Sequence, residues 1–278
     1  MRSVFILTLS AALISAALRC SGTSELAGAT GSGNPGGPVK VCLVADTGLS
    51  ENALLKKVAH PVQRPGVEIS DAGNLSFSID SMNITAQRIL FILSDLDCQK
   101  ALEGYNDSCL TCDSGSLALE GPFVFDLHTG KSQPALDSFR LPEADYIGIR
   151  FETRNTKGAG SQNCPMYISG IFNYDTSHAF SFLLNSFSFT LLRKGPPARV
   201  SRNDTTSFIL TFAARHWLDF LDLGSCLDGG HIRFQNDGSL LIDQNSPRSG
   251  PCMNTEAVMR GNIQNSAALK ILSMKKGF

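Results

Sequence analysis

The chain has 278 residues, of which 42% are hydrophobic and 18% are charged, and its formal net charge is −1. That hydrophobic content indicates a globular protein rather than a disordered one. The charge offers no basic excess to neutralise phosphates, so the composition disfavours nucleic acid as a partner.

The N-terminus has the pattern of an export signal. Met1 and Arg2 precede an apolar run of 15 residues, 4–18, which ends in small residues. A charged start, an apolar core of this length and small residues at its end are typical of a secretory signal, predicted here over residues 1–19. The run is shorter than the about 20 residues that a membrane-spanning helix needs.

Two ways of processing this signal remain open. Small residues at 15–17 would suit an ordinary signal peptidase and release a soluble protein. Alternatively, Cys20 becomes the lipidated first residue of a bacterial lipoprotein, although Arg19 stands where a small residue is usual. Residues 20–38 are rich in Gly and Ser and predict a flexible tether, which an anchored domain requires. We therefore predict an exported lipoprotein of the bacterial cell envelope, at the outer membrane, in the periplasm or on the surface.

Short segments of alternating apolar and polar residues dominate the middle of the chain. A period of two places one face of a strand in a core and the other in water. Turn-forming sequences such as DAGN, GKSQP and KGPP separate the segments. Residues 39–213 are thus predicted to form a mainly β domain, an antiparallel Greek-key-type β-sandwich. The segments are 75–80, 147–151, 180–184, 187–191 and 208–212, with a less alternating and more buried strand at 84–93.

A small α+β extension over residues 214–278 is predicted to pack on this sandwich. Residues 213–221 could form a turn or two of helix. A second short helix is predicted from Glu256 to Asn265, with Asn254 or Thr255 as its cap.

A disulfide is predicted to close the extension. Cys226 and Cys252 bracket a predicted hairpin with strands at 231–234 and 239–243 and a turn at Asn236-Asp237-Gly238. The bridge would close a loop of about 26 residues and contribute about 3 kcal/mol by reducing the entropy of the unfolded chain.

Two segments carry a family resemblance. Residues 121–153 contain a strand ending in Asp-Leu, a turn, and a Leu-Pro segment leading to Tyr146 and Arg150. In residues 217–252, Trp217 precedes two cysteines around an Asp-Gly-rich hairpin. Both resemble exported bacterial lipoproteins that carry a domain of unknown function, with a transthyretin-like or carbohydrate-binding-like sandwich. The resemblance covers about a quarter of the chain and implies a fold, but no catalytic or ligand residue.

The cysteines are predicted to be structural. In an exported chain the expected state of cysteine is a disulfide. If Cys20 carries lipid, seven cysteines remain and one lacks a partner, whereas an unmodified Cys20 would allow four bridges. The pairing of the other five stays open. They are Cys42, Cys98, Cys109, Cys112 and Cys164.

We predict no cofactor, with two alternatives. Copper or zinc could bind Cys98, Cys109, Cys112 and His128, which would make this a periplasmic metal-handling protein. Calcium could bind acidic residues that recur near turns, although turn chemistry accounts for them adequately. These acids are Asp95, Asp97, Asp219, Asp222, Asp228, Asp237 and Asp243.

The sequence contains no motif for a reaction. It has no Gly-x-Ser-x-Gly element, and no set of Ser, His and Asp stands out as a triad. We therefore predict a non-enzymatic binding or structural module. Its partners would be the membrane, through the N-terminal lipid, and a glycan, a protein or another envelope component.

Overall fold

A computed structural model describes residues 36–46, 66–105, 109–136, 139–154, 164–245, 247, 250 and 252–275. The predicted signal, Cys20 and the tether up to residue 35 lie outside the described residues.

The described residues form fifteen strands, three α-helices and a 3₁₀ helix. The strands are β1 Gly37–Asp46, β2 Val67–Ser70, β3 Ser76–Leu93, β4 Leu110–Asp113, β5 Ser116–Asp126, β6 Ser132–Gln133, β7 Phe139–Leu141, β8 Asp145–Glu152, β9 Met166–Asn173, β10 Ser177–Leu184, β11 Ser188–Leu192, β12 Ala198–Arg199, β13 Asp204–Ala213, β14 Leu240–Ile242 and β15 Ala267–Lys275. The helices are α1 Cys98–Leu102, α2 Leu223–Asp228 and α3 Thr255–Asn265, with the 3₁₀ helix at Ala214–His216.

The strands form two sheets, which confirms the predicted mainly β sandwich. The smaller sheet has the order β15-β13-β1-β7. The larger follows the path β11-β8-β3-β9-β10-β14, with β12 on β8, β2 and β5 on β3, and β4 and β6 on β5. Both sheets are mixed, because β1 runs parallel to β13 and β10 parallel to β14. Alternation of side chains predicts a strand but carries no information on its direction, so the two parallel pairs could not be foreseen.

Aromatic side chains from both sheets meet in the core between them. The ring of Phe208 on β13 lies 5.3 Å from that of Phe91 on β3 and 6.1 Å from that of Tyr146 on β8. Phe189 on β11 lies 5.7 Å from Phe212 on β13, and these rings are buried. Each such side chain contributes roughly 1.5–3 kcal/mol by leaving water. These aromatic side chains therefore pack the two sheets against each other.

One long strand organises the larger sheet. β3 spans 18 residues and unites the two segments predicted at 75–80 and 84–93. Its first half pairs with β2 and β9, and its second half with β5 and β8. The register with β5 shifts between Ala86 and Arg88, which marks a bulge.

Arg88 follows this bulge and is surrounded by carboxylates. Glu120 and Glu152 lie directly opposite it on the two neighbouring strands. Its guanidinium contacts Asp113 at 2.6 Å, Glu120 at 2.7 Å and Glu152 at 3.2 Å. The hydrogen bond with Asp113, followed by that with Glu120, raises the pKa of Arg88 further, and Arg88 in turn lowers the pKa of Asp113. All three nitrogens of this arginine are thus engaged within the protein.

The C-terminal extension completes both sheets. β14 adds to the larger sheet beside β10, and β15 adds to the smaller sheet beside β13. The predicted bridge between Cys226 and Cys252 is confirmed, and α3 begins three residues after it, at Thr255.

The hairpin predicted inside this bridge is only partly correct. Its turn is present, because the Gly238 amide donates to the Gln235 carbonyl and the Gln235 amide to the Ser239 carbonyl. Residues 231–234, however, form only a single bridge between Phe234 and Leu240 instead of a strand. Residues 240–242 pair with β10, whose long apolar edge offers more contacts than the short segment before the turn.

The predicted end of the tether is also corrected. β1 begins at Gly37, and Gly37 and Pro38 pair with Leu141 and Arg140 on β7. Composition alone suggested a tether up to residue 38, since the partner strand lies about a hundred residues later in the chain.

Candidate functional site

Three turns gather at one end of the larger sheet around helix α2. The start of α2 is bound to the β2–β3 turn, because the Leu223 amide donates to Asp71 at 2.7 Å. Its end is bound to the β9–β10 turn, where the Tyr174 hydroxyl donates to Asp228. With a rise of about 1.5 Å per residue, this six-residue helix spans less than about 10 Å. It therefore joins two hairpin turns and the segment that precedes it.

Asp71 fixes the first of these connections. Its side chain is buried, and one carboxylate oxygen accepts from the Gly73 and Leu75 amides at 2.9 and 2.8 Å. The other oxygen accepts from Leu223, 152 positions later. Nearby, the Ala72 amide donates to the Leu221 carbonyl at 2.7 Å. Two hydrogen bonds from backbone amides thus join residues 71–75 to residues 221–223, and the amides of Gly73 and Leu75 donate two more to Asp71 within the turn.

Helix α3 holds the preceding turn from a second side. The Asn262 side chain donates to the Trp217 carbonyl at 3.2 Å and to the Asp219 carbonyl at 2.7 Å. Trp217 is fully buried, and its indole N–H donates to Ser266 at 3.2 Å. Residues 217–221 therefore have little freedom to move relative to the core.

This supported turn displays an aromatic ring to solvent. Phe220 is 89% exposed, although its backbone adopts φ +66°. A bulky side chain rarely takes this left-handed conformation, which costs about 1–3 kcal/mol. An exposed ring gains little from burial within the protein, so packing does not explain why phenylalanine stands here. Strain of this kind at an over-determined backbone is found preferentially at functional sites.

Phe220 belongs to an outward surface of residues 214–220. Ala214, Trp217 and Leu218 are buried, while the side chains between and after them face outward. We call this outward surface the Phe220 face. It consists of Arg215, His216, Asp219 and Phe220.

Hydrogen bonds connect the three polar members of the face. The Nε–H of Arg215 donates to Nε2 of His216 at 3.0 Å. The other ring nitrogen, Nδ1, is 2.9 Å from Asp219 Oδ2. The His216 ring therefore lies between a guanidinium and a carboxylate.

A second histidine, His178, connects two turns near the other end of α2. His178 Nε2 lies 2.6 Å from Asp175 Oδ1, and Nδ1 lies 3.0 Å from the Gly238 carbonyl. Both nitrogens thus face acceptors. The hydrogen bond with Asp175, then that with Gly238, raises the pKa of His178, and its ring stacks on Phe234 with centroids 4.3 Å apart. His178 therefore connects the β9–β10 turn to the turn at 236–238.

The acids considered for calcium serve turns, helix starts and side-chain pairs. Asp222 caps α2 by accepting from the Ser225 amide at 2.9 Å, and this bond lowers its pKa. Asp97 caps α1 in the same way, and Asp237 accepts from the Ser239 amide. Asp95 and Asp243 accept from amides two residues later, while Asp219 and Asp228 contact His216 and Tyr174. Within the described ranges, no three His, Cys, Asp or Glu side chains are grouped as metal ligands.

The residues of the copper or zinc alternative do not gather at one place. Cys98 is joined to Cys112 by a disulfide, and Cys109 is also disulfide-bonded. A disulfide sulfur lacks the thiolate charge that binds these metals. Cys112 lies opposite Leu117 near the start of β5, whereas His128 follows the far end of that strand. At about 3.3 Å per residue, the two ends are roughly 30 Å apart.

The disulfides expected for Cys42 and Cys164 are not formed, and both residues carry thiols whose sulfur atoms contact backbone carbonyls. Cys42 is buried on β1, and its sulfur donates to the Gly130 carbonyl at 3.2 Å. The Cys164 sulfur lies 2.6 Å from the Met166 carbonyl, and burial raises the pKa of this thiol to about 11. A thiol with so high a pKa is a poor nucleophile at neutral pH.

Sequence reasoning missed the Phe220 face. The DAGN segment indicated a turn, but the hydrogen bond that joins its Asp71 to Leu223 had no signal in the sequence. Phe220 itself lies in an apolar stretch, WLDFL, which is typical of a core-facing helix. Only the structure shows that the Phe220 ring is exposed to water.

No protein-family model, no curated protein and no solved structure matches this chain. The resemblance to exported lipoproteins therefore stays a prediction. Within the described residues, the helices are all too short or too polar to cross a membrane.

Proposed function

We propose that this protein is a non-enzymatic, exported binding module whose ligand contact is the Phe220 face. The N-terminal sequence supports export from a bacterial cell, and incorporation of palmitate would show whether Cys20 also anchors the chain. A sandwich that follows a predicted Gly- and Ser-rich tether suits a domain that presents a surface away from a membrane.

The observation that carries the proposal is the exposure of Phe220 on a strained and fully supported turn. The protein tolerates a cost of about 1–3 kcal/mol to place this ring in water. Aromatic side chains on a rigid scaffold lose little entropy when they bind, and they dominate the energetics of many interfaces. Binding is the role that compensates this cost.

His178 and His216 take part in the hydrogen bonding of this surface. His178 Nε2 lies 2.6 Å from Asp175 Oδ1 and 3.0 Å from Thr176 Oγ1, and Nδ1 faces the Gly238 carbonyl. His216 directs its two ring nitrogens at Arg215 and Asp219. Each ring is therefore occupied in holding the surface together.

Sedimentation with isolated envelopes of the producing cells tests the proposal. The full chain is used with Cys20→Ala throughout, so that no lipid drives the association. Phe220→Ala should weaken sedimentation by about tenfold or more, since a hot-spot side chain contributes roughly 2 kcal/mol. Met274→Ala is the matched control, because Met274 is 59% exposed on β15, away from the Phe220 face.

Two results would contradict the proposal. Wild-type-like sedimentation of Phe220→Ala would remove the face from the binding site. If the protein with its native Phe220 face stayed in the supernatant, the proposed binding role itself would be wrong. Incorporation of labelled palmitate, with Cys20→Ala as control, tests the anchor separately, and absence of label would show that the protein is not a lipoprotein.

A further inference from the structure

We infer that the Phe220 face binds an acidic saccharide, with a sugar ring on Phe220 and its carboxylate on Arg215. This inference rests on the proposed function and names the ligand class of the same site.

The shape of the apolar surface favours a sugar over a protein. A pyranose ring has a face of C–H groups about as large as one phenyl ring, and hydroxyl groups around its edge. Phe220 offers one exposed ring, and the other outward residues of its segment are polar. A stable protein interface buries more than about 1,000 Å² and surrounds its aromatic anchors with further contacts that exclude water. One ring beside charged groups matches a saccharide unit more closely.

The hydrogen bonding of Arg215 supplies the acidic part of the inference. Its Nε is directed at His216, which fixes the plane of the guanidinium and leaves the two terminal nitrogens for other partners. Within the part of the chain that the structure describes, Arg215 forms no ion pair, whereas Arg88 is enclosed by three carboxylates. A guanidinium held in this way recognises a carboxylate through two parallel hydrogen bonds.

Asp219 adds an acceptor for sugar hydroxyl groups. Its Oδ2 contacts His216, so that Oδ1 is the atom with capacity for a ligand hydroxyl. A membrane-binding surface requires a continuous apolar face, which residues 214–220 lack.

Isothermal titration calorimetry with a galacturonate oligosaccharide tests this inference. Its carboxyl-reduced counterpart, a neutral galactose oligosaccharide of equal length, is the matched ligand. The full chain with Cys20→Ala should bind the acidic form about tenfold more tightly, the effect of one charge-assisted contact. Arg215→Gln should remove this preference, Arg215→Lys should retain part of it, and Phe220→Ala should abolish binding of both ligands. Fluorescence of Trp217, the single tryptophan, verifies that each variant is folded.

The outcomes separate this inference from the proposed function. Equal binding of the acidic and neutral ligands would overturn the role of Arg215. Failure of both to bind, while envelope sedimentation still depends on Phe220, would overturn the saccharide class and leave the binding module intact. Binding to phosphatidylglycerol vesicles that is lost in Phe220→Ala, without saccharide binding, would assign the face to a membrane and overturn the inference.

Discussion

Replacing Asp71 by alanine tests whether the Phe220 turn is rigidly supported. Asp71→Ala removes the acceptor of three backbone amides, those of Gly73, Leu75 and Leu223. A hydrogen bond to a charged group contributes roughly 1.5–3 kcal/mol, and an amide left buried without a partner costs about 1–3 kcal/mol. Water can reach part of the β2–β3 turn, so we expect the free energy of unfolding to fall by about 3–5 kcal/mol. That is a large share of the roughly 5–15 kcal/mol available to a domain.

Urea unfolding followed by Trp217 fluorescence measures this loss, because Trp217 is buried directly behind the turn. Asp71→Asn is the control. Its carbonyl oxygen can still accept from Gly73 and Leu75, while its amide faces the Leu223 N–H and cannot. Its loss should therefore lie between those of the wild type and of Asp71→Ala. If Asp71→Ala unfolds within 1 kcal/mol of the wild type, the support that we attribute to this residue does not exist.

The remaining predictions concern the His178 contacts, the Cys226–Cys252 disulfide and helix α3, which lies behind the Phe220 turn. Since the pKa of His178 is raised, its stabilisation is complete below the ordinary value of about 6.5 and is lost as the pH rises through the folded-state value. The difference in urea midpoint between the wild type and His178→Asn should therefore shrink from about pH 6.5 upward. A difference that does not vary with pH would contradict the stabilising role of the His178 contacts. Cys226→Ala with Cys252→Ala should lower the free energy of unfolding by about 3–4 kcal/mol for the 26-residue separation, and a loss below 1 kcal/mol would refute that estimate. Asn262→Ala should cost about 1–3 kcal/mol and speed hydrogen exchange in residues 219–221, whereas unchanged exchange would show that α3 does not hold the turn.

The strands could be predicted because their signal is local. Alternation at 147–151, 180–184 and 208–212 correctly predicts β8, β10 and β13, although residues 206–210 of β13 are buried on both faces. Pairing depends instead on residues far apart in the chain. The parallel contact of β1 with β13 joins positions more than 160 residues apart, and no local pattern records it.

The candidate site was not predictable for the same reason. The turn at 236–238 follows from the residues present and is observed, whereas Asn254 stands at the N-cap position of α3 without a capping hydrogen bond from its side chain. The Phe220 face depends on Asp71 and Asn262, which reach the turn from opposite directions in sequence. A phenylalanine at positive φ contradicts local preference, so its position is visible only once these contacts are known.

The most direct test of the account is Phe220→Gly, measured for both stability and envelope sedimentation. Glycine accepts φ +66° without strain, and the lost ring was exposed, so the free energy of unfolding should stay unchanged or rise by up to about 1 kcal/mol. We predict that this equally stable variant no longer sediments with envelopes. Sedimentation equal to that of the wild type would contradict the central claim, because the strained ring would then serve no binding role.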